Sequence, residues 1–403
     1  MENKQIVLGI TGGIAAYKMA EVASRLVKKD YNVHVVMTEA GAEFITPLTF
    51  RTITGNPVEI DLFSPPKQHN VKHISLADRA DAVLVAPATA DFLARMAGGF
   101  ANNLLSSLIL ATGAPVAVAP SMNVNMYNNP AVQDNLTLLE ERGIYIITPD
   151  SGLLACGYSG KGRLPQPEVL VEEVEYLVTG DDLEPKKILV TAGPTREPLD
   201  PVRYLSNYSS GKMGYALARA AVSRGARVKL ISGPVNLRVP ARVESEQVTT
   251  AKEMKTAVDT SAREQDIIIM AAAVADFRPE KREKEKIKKM GNDNRNLPLR
   301  ANPDILASLG EKKKPGQVLV GFAAESSNLI ENAKRKLQEK NLDFIAVNDI
   351  TDDNSGFQSD YNRVILLTGK DKIEIPLSEK NEVAHEILDQ IVERGSEQVT
   401  GSK

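Results

Sequence analysis

Two groups of residues in this chain have the types and spacing to do chemistry. Gly9-Ile10-Thr11-Gly12-Gly13-Ile14-Ala15 joins an apolar run to a helical pattern, so its backbone N–H groups and the helix start suit a phosphate. The spacing is not G-x-G-x-x-G, nor is it a P-loop, and a tight turn that packs helix on sheet reads the segment about as well. Pro87-Ala88-Thr89-Ala90-Asp91 and Pro120-Ser121-Met122-Asn123 each follow an apolar strand, at the strand ends where open α/β sheets bind ligands. Taken singly, the first also reads as a helix cap by Thr89 or Asp91 and the second as a turn around a core methionine. Cys156, the only cysteine, sits in the glycine-rich stretch Gly152 to Arg163, which reads as an exposed lid. An ordinary thiol, with a pKa of about 8.5, is mostly protonated at neutral pH and could give a proton to a carbanion as well as attack an electrophile. His73, where a helix begins beside Ser75, has the bland alternative of a surface or capping histidine, and no spacing of His, Cys and carboxylates suggests zinc.

The second group lies beyond residue 180. Thr191-Ala192-Gly193-Pro194-Thr195-Arg196-Glu197 leaves a strand, and Ser206-Asn207-Tyr208-Ser209-Ser210-Gly211-Lys212-Met213-Gly214 opens a helix. Hydroxyls, backbone donors and a lysine at a helix start make an anion site, although the Gly-Lys pair lacks the Ser or Thr of a P-loop. The charge run from Arg278 to Lys289 reads either as a solvated loop or as a lid over triphosphate.

Positioning these residues requires strands that alternate with helices. Buried-strand patterns at Ile6 to Ile10, Val33 to Met37, Ala82 to Ala86, Val116 to Ala119 and Tyr145 to Thr148 are separated by helical patterns at 91–97, 103–111 and 131–142. The pattern restarts at Lys187 to Thr191, with a helix from Gly211 to Arg224, strands near Val228 to Ser232, Ile267 to Ala271, Val318 to Phe322 and Phe344 to Val347, and a hairpin at Val364 to Thr368 and Ile373 to Leu377. Two α/β domains in series follow, each a Rossmann-like parallel sheet with helices on both faces. The polar, Gly- and Pro-punctuated segment Thr179 to Pro185 marks the boundary, giving domains 1–180 and 181–403.

Composition bounds the partners. At 403 residues, with 42% hydrophobic and 25% charged, the chain is long enough for two or three domains and ordinary enough in balance to exclude wholesale disorder. A net charge of −3 offers no whole-chain reason to expect nucleic acid or an anionic membrane. With a single cysteine there is no intrachain disulfide, and the start has no signal-peptide pattern, so a cytoplasmic location is expected. Met96 to Gln133 carries no charge, but its prolines and asparagines argue for a buried region around a ligand rather than a membrane span.

Together these segments closely resemble the bacterial bifunctional coenzyme A biosynthesis family, in which phosphopantothenoylcysteine decarboxylase is fused to phosphopantothenate-cysteine ligase. The resemblance covers essentially the whole chain. Gly-Gly-Ile-Ala-Ala-Tyr-Lys at 12–18, His73, Pro-Ala-Thr-Ala at 87–90, Pro-Ser-Met-Asn at 120–123 and Ala-Cys-Gly at 155–157 are similar, in order, to FMN-dependent cysteine decarboxylases. The ligase resemblance rests on Thr-Ala-Gly-Pro-Thr-Arg-Glu-Pro at 191–198, Ser-Asn-Tyr-Ser-Ser-Gly-Lys-Met-Gly at 206–214, Ala-Ala-Val-Ala-Asp at 272–276, Lys-Ile-Lys-Lys at 286–289, Asn-Pro-Asp-Ile at 302–305 and Gly-Phe-Ala-Ala-Glu at 321–325. Ser121, where alanine is common, and Tyr127, where some relatives have tryptophan, are small departures.

The resemblance implies a flavodoxin-like FMN-binding N-terminal domain and a CTP-binding C-terminal ligase. In the ligase, CTP would activate 4′-phosphopantothenate as an acyl-cytidylate and cysteine would displace CMP. Asn207 would hold that intermediate and Lys286 would neutralise charge as it forms. Met270, Ala271, Ala272, Asp276, Lys286, Pro303, Asp304, Ile305, Leu306, Phe322, Lys336 and Lys340 would contact CTP, and Mg²⁺ on the phosphates is expected, with protein ligands not assigned. In the decarboxylase, FMN would oxidise the cysteinyl thiol to a thioaldehyde so that the departing carboxylate's electrons have a place to go. His73 and Asn123 would position or deprotonate the substrate, and Cys156 would supply the proton that completes 4′-phosphopantetheine. FMN phosphate would lie near Thr11, Gly12, Gly13, Ile14 and Thr38, with ring or ribityl contacts near Pro87, Ala88, Thr89 and Ser106. Relatives also imply a homo-oligomer, with trimeric contacts in the FMN domain and dimeric contacts in the ligase. Two other readings are a flavin-binding regulatory protein, which predicts loss of His73, Asn123 or Cys156, and a nicotinamide dehydrogenase, for which Glu39 is available but the glycine spacing is wrong.

Overall fold

Alternate residues of the first apolar run face opposite ways, and both faces are buried. In β1 (Gln5–Ile10), Ile6, Leu8 and Ile10 enter one core and Val7 another, none more than 1% exposed. A parallel sheet between two helical layers requires this. The computed structural model describes residues 4–62, 72–153, 157–288, 296–325, 328–349, 356 and 358–400. The chain divides into two compact units, Met1–Thr179 and Gly180–Lys403.

In the first unit β1 is joined by β2 (Asn32–Met37), β3 (Val58–Glu59), β4 (Ala82–Ala88), β5 (Val116–Pro120) and β6 (Tyr145–Ile146) in one parallel sheet of order β3-β2-β1-β4-β5-β6. Helices Lys18–Lys28 and Pro167–Val178 cover one face through Met19, Val22, Leu26, Leu170 and Val174. Helices Ala90–Gly98, Leu104–Ala111 and Pro130–Glu141 cover the other through Phe92, Leu93, Leu105, Leu108 and Leu139. Each such side chain, fully buried, contributes roughly 1.5–3 kcal/mol. The uncharged stretch from Met96 to Gln133 is spent on this layer and on β5; among the described residues no helix is long and apolar enough to cross a membrane.

The layers are as expected, but the narrower flavodoxin-like expectation needs correcting at the level of strand order. Flavodoxin runs 2-1-3-4-5, whereas in this sheet β2 and β3 both lie on one side of β1 before the chain crosses to β4 on the other. The order is that of the dinucleotide-binding fold, and its reversal puts a crevice at the ends of β1 and β4. An antiparallel ribbon, β7 (Asp150–Leu153) with β8 (Ser159–Arg163), follows the sheet.

The second unit holds β9 (Lys187–Ala192), the ribbon β10 (Arg196–Pro198) with β11 (Tyr204–Ser206), then β12 (Arg227–Ser232), β13 (Glu244–Gln247), β14 (Ile267–Met270), the ribbon β15 (Phe277–Pro279) with β16 (Leu299–Ala301), and β17 (Val318–Glu325), β18 (Phe344–Asp349), β19 (Tyr361–Leu367) and β20 (Lys372–Glu379). The main sheet runs β13-β12-β9-β14-β17-β18-β19-β20, parallel as far as β18 and antiparallel for the terminal hairpin. Ile188 and Val190 face one core and Leu189 the other, repeating the logic of β1. The expected helix from Gly211 is Lys212–Ser223. Gly211 is its N-cap in the left-handed region at φ 79°, a conformation that an L side chain would strain.

Candidate functional site

In the first unit, side-chain hydroxyls knit the strand ends together. Thr11, 1% exposed, donates from Oγ1 to the Pro87 carbonyl at 2.6 Å and accepts from the Thr89 N–H at 3.2 Å. Thr89 in turn accepts from the Phe92 N–H at 3.3 Å, so it is the cap of helix Ala90–Gly98 as well as part of the crevice. Thr38 caps the short helix Glu39–Ala42 by accepting from Gly41 N at 3.1 Å, and that helix lies against the glycine loop: a Cβ on Gly12 would meet the Ala40 Cβ at 2.6 Å. Thr11 to Ile14, Thr38 and Pro87 to Thr89 therefore share one place, at the end of β1 and β4. Ser121 N donates to Ala88 O at 3.0 Å and carries the Pro120 to Asn123 segment to the same edge.

The β7–β8 ribbon is docked onto that segment by backbone. Met122 N donates to Gly162 O at 3.0 Å, and a Cβ on Gly162 would sit 2.3 Å from Met122 O. Lys18, mostly buried, fixes the ribbon's exit by donating from Nζ to Leu164 O at 2.9 Å; burial, together with the Arg163 charge, pushes its pKa down. Cys156 lies in the loop of this ribbon but outside the described residues. His73 is on helix Lys72–Arg79, which packs against Leu104–Ala111, and its Nδ1 is buried with no hydrogen-bond partner among the described residues. Asn123 Oδ1 accepts from Asn125 N at 2.8 Å. Ser106 is 2% exposed and its hydroxyl completes a capping box with Asn103 at the start of helix Leu104–Ala111.

These residues fit a flavin nucleotide. No acceptor among the described residues takes the N–H groups of Gly13 and Ile14, and a Cβ on Gly13 would project toward Pro87 and Thr89, 3.7 and 4.0 Å from their side chains. Unpaired N–H groups at a helix start beside a side-chain-free gap are what a phosphate needs.

In the second unit, the segment after β14 is held from three sides. Thr191 Oγ1 accepts from Ala272 N at 3.2 Å and Thr195 Oγ1 from Ala275 N at 3.0 Å, while Asn207 Nδ2 donates to the carbonyls of Ala273 and Val274 at 3.1 and 3.3 Å. Asn302 joins the Asn-Pro-Asp-Ile segment to it, donating from its N–H to Asp276 O at 2.7 Å and from Nδ2 to Ala275 O at 2.8 Å. Asp304 caps helix Ile305–Glu311 and pairs with Lys340 at 2.7 Å. Burial opposes ionisation of this carboxyl, but the Lys340 hydrogen bond and the N–H groups of Ala307 and Leu306 outweigh it and hold the pKa below the usual range.

A cavity of about 690 Å³ opens between these segments, within the usual size for a small-molecule site. Asn207, Met270, Ala271, Ala272 and Asp276 line it, as do Pro303, Asp304, Ile305, Leu306, Phe322, Lys336 and Lys340. Lys286 does not; it is exposed, on the segment that leaves β15. Sequence reasoning missed Asn348, Asn362 and Lys380, which also line the cavity. Asn348 Oδ1 is buried without a partner among the described residues, and the strand-end rule that drew attention to Pro87 and Pro120 would have found it after the apolar Phe344 to Val347. Asn362 and Lys380 come from the terminal hairpin and the last helix, where nothing local marks them. Among the described residues no three His, Cys, Asp or Glu side chains cluster as a metal cage.

The Flavoprotein family pattern matches residues 1–179, and that of the DNA/pantothenate metabolism flavoprotein C-terminal domain matches 183–394. The chain is 47% identical over 392 residues to a coenzyme A biosynthesis bifunctional protein CoaBC of Vibrio vulnificus (strain CMCP6), covering 97% of this chain and 98% of the relative. The chain belongs to this family. Its likeness to the coenzyme A biosynthesis bifunctional protein CoaBC of Escherichia coli (strain K12) is also 47%, over 98% of both chains. The crystal structure of the C-terminal domain of such a protein is 42% identical, covering 54% of this chain and 100% of that one, with a TM-score of 0.47.

Proposed function

We propose that this chain joins 4′-phosphopantothenate to cysteine in its second unit and decarboxylates the product to 4′-phosphopantetheine in its first. The observation that carries the reading is a cavity lined by every residue expected to contact CTP except Lys286. A carboxylate is a poor electrophile; attack on the α-phosphate of CTP expels pyrophosphate and makes a mixed anhydride, which the cysteine amine opens with loss of CMP. Asn207 presents an amide beside Ala273 and Val274, where the acyl-cytidylate is held, and Lys286 brings positive charge to the forming intermediate. Asp276 and Asp304 are carboxylates on this cavity, but Asp304 is committed to Lys340, which leaves Asp276 as the group to meet a phosphate-borne Mg²⁺.

In the first unit, Thr11 to Ile14 and Thr38 would hold the FMN phosphate, with Pro87 to Thr89 along the ribityl and ring side. FMN, when bound, supplies a two-electron acceptor and donor for the cysteinyl carbon–sulfur unit. His73, whose Nδ1 has no partner among the described residues, takes or holds a proton of the substrate, Asn123 orients it, and Cys156 returns a proton to carbon once CO₂ has left. Exposed Ile14 and Tyr17, 60% and 61% exposed beside the glycine loop, support a homo-oligomer built at the flavin site, and the location proposed is the cytoplasm. The unit-specific test is Cys156→Ser: the reaction should stall after CO₂ loss with an enethiol or oxidised product while pyrophosphate release from CTP continues at the normal rate. Normal 4′-phosphopantetheine output from that variant would remove the proton-donor role.

A further inference from the structure

Asp200 is 2% exposed and stands in the turn between β10 and β11, outside the cavity. Its Oδ1 accepts from the N–H groups of Val202 at 2.7 Å and Arg203 at 2.8 Å. Its Oδ2 accepts from Arg203 Nε at 3.0 Å and Nη2 at 2.6 Å. Those four bonds close the turn on itself. The fifth does not: Oδ2 also accepts from the Ile287 N–H at 3.1 Å, 87 residues along the chain. Burial opposes ionisation of this carboxyl, but the Arg203 guanidinium and the backbone donors of Val202, Ile287 and Arg203 hold its pKa well below the usual carboxylate range, so it stays charged.

Ile287 follows Lys286, and both sides of its peptide are engaged at the same place. Arg203 Nη2 donates to Ile287 O at 2.7 Å, and earlier in the same segment Glu283 N donates to Leu199 O at 2.9 Å. The segment 283–288 contains no helix or strand of its own, so these bonds to the ribbon tip are what fix its path. Lys286 is exposed within it, so its amine reaches into solvent from a backbone that the ribbon holds.

We infer that Asp200 is a positioning residue for Lys286: its buried carboxylate anchors the Ile287 peptide and so sets where the neighbouring amine stands when the acyl-cytidylate forms. The inference rests on the role proposed for Lys286. An amine that stabilises developing charge must be in place before the charge develops, and a displacement of about 1 Å at such a group costs on the order of a hundredfold in rate. Replacing Asp200 by asparagine keeps the shape but turns one acceptor oxygen into an amide that faces N–H donors, and it leaves Arg203 without its counter-ion.

The experiment is single-turnover pyrophosphate release from CTP and 4′-phosphopantothenate, without cysteine, in the full chain and in Asp200→Asn, Lys286→Ala and the double variant. Asp200→Asn should slow release about 10- to 100-fold, leave decarboxylation of supplied phosphopantothenoylcysteine unchanged, and add no further loss to Lys286→Ala. Ile287→Pro, which deletes the N–H that reaches Asp200, fixes φ at 287 and spares the turn's own bonds, should reproduce the loss, and it serves if Asp200→Asn does not fold. Wild-type release in both variants, or losses at Asp200 and Lys286 that multiply, overturns the inference while the reading of Lys286 stands. An unimpaired Lys286→Ala overturns that reading and the inference with it.

Discussion

Adding one methyl group at Gly162 should disable the first unit's chemistry without touching the second. The β8 backbone passes so close to the Pro120 to Asn123 segment that a Cβ on Gly162 would lie 2.3 Å from Met122 O, well inside the contact distance of a carbon and an oxygen, and its φ of 143° is one that L side chains rarely adopt. Neither atom is the movable end of a side chain, so the ribbon itself must shift. The cost combines backbone strain of about 1–2 kcal/mol with loss of the Met122 to Gly162 hydrogen bond, worth about 1 kcal/mol. A total of roughly 2–3 kcal/mol is enough to keep the ribbon undocked much of the time, which frees the Pro120 to Asn123 segment, and with it Asn123, from the β8 backbone. The assay is CO₂ release from phosphopantothenoylcysteine by flavin-loaded Gly162→Ala, with CTP-dependent pyrophosphate release as the internal control. Decarboxylation should fall about 10- to 100-fold, with ligation within about twofold of wild type. Gly113→Ala, where nothing lies within 4 Å, should be silent. A wild-type decarboxylation rate in Gly162→Ala would refute the claim that ribbon docking sets the reactive geometry.

Other perturbations have equally definite outcomes. Asn207→Asp loses both amide donors to Ala273 and Val274 and sets a carboxylate against two carbonyls, so pyrophosphate release should fall at least about 100-fold while decarboxylation is unchanged; an unaffected ligase rate would contradict the role given to Asn207. Thr11→Val orphans Pro87 O and Thr89 N, at about 1–3 kcal/mol each, and should lower the melting temperature of the first unit by roughly 5–15 °C and speed flavin loss; calorimetry of the flavin-loaded protein reads both. Lys380 is pushed down to about 8 by burial and by the nearby Lys212 charge, with Asp360 opposing. Below about pH 8 the folded and unfolded states are both protonated and the fold bears the whole cost. Between about 8 and 10.5 the folded state releases its proton first, so stability should rise with pH, by up to roughly 3 kcal/mol. Lys380→Met should flatten that rise when urea unfolding of the second unit is compared at pH 7.5 and 10.

Much of the fold is written in local patterns. Ile6 to Ile10 and Ile188 to Ala192 are buried on both faces, which reads directly as parallel strands, and helix Lys212–Ser223 lies between the glycine and arginine expected at its ends. Strand order is not local. Whether β3 lies outside β2 or beyond β1 depends on crossovers whose apolar content is the same either way, and there the flavodoxin-like expectation gave way. Candidate-site segments are legible where a strand end coincides with unusual residues, as at Pro87, Pro120 and Ala272. What escaped reading is contact between distant backbones. Gly162 against Met122 and Asp200 with Ile287 join residues that share no periodicity, and glycine or aspartate in a loop has many ordinary explanations. Thr89 shows the converse: its reading as a helix cap and its reading as a crevice residue are both true, because the hydroxyl that caps Phe92 also faces Thr11 at 3.4 Å.

The most direct test of two active sites in one chain is mass spectrometry of the purified flavin-loaded protein with 4′-phosphopantothenate, cysteine, CTP and Mg²⁺. One spectrum reports both half-reactions. The account predicts 4′-phosphopantetheine together with CMP, with phosphopantothenoylcysteine accumulating in its place when His73 is replaced and the enethiol or oxidised decarboxylated product when Cys156 is replaced. Absence of any cysteine adduct of 4′-phosphopantothenate would contradict it.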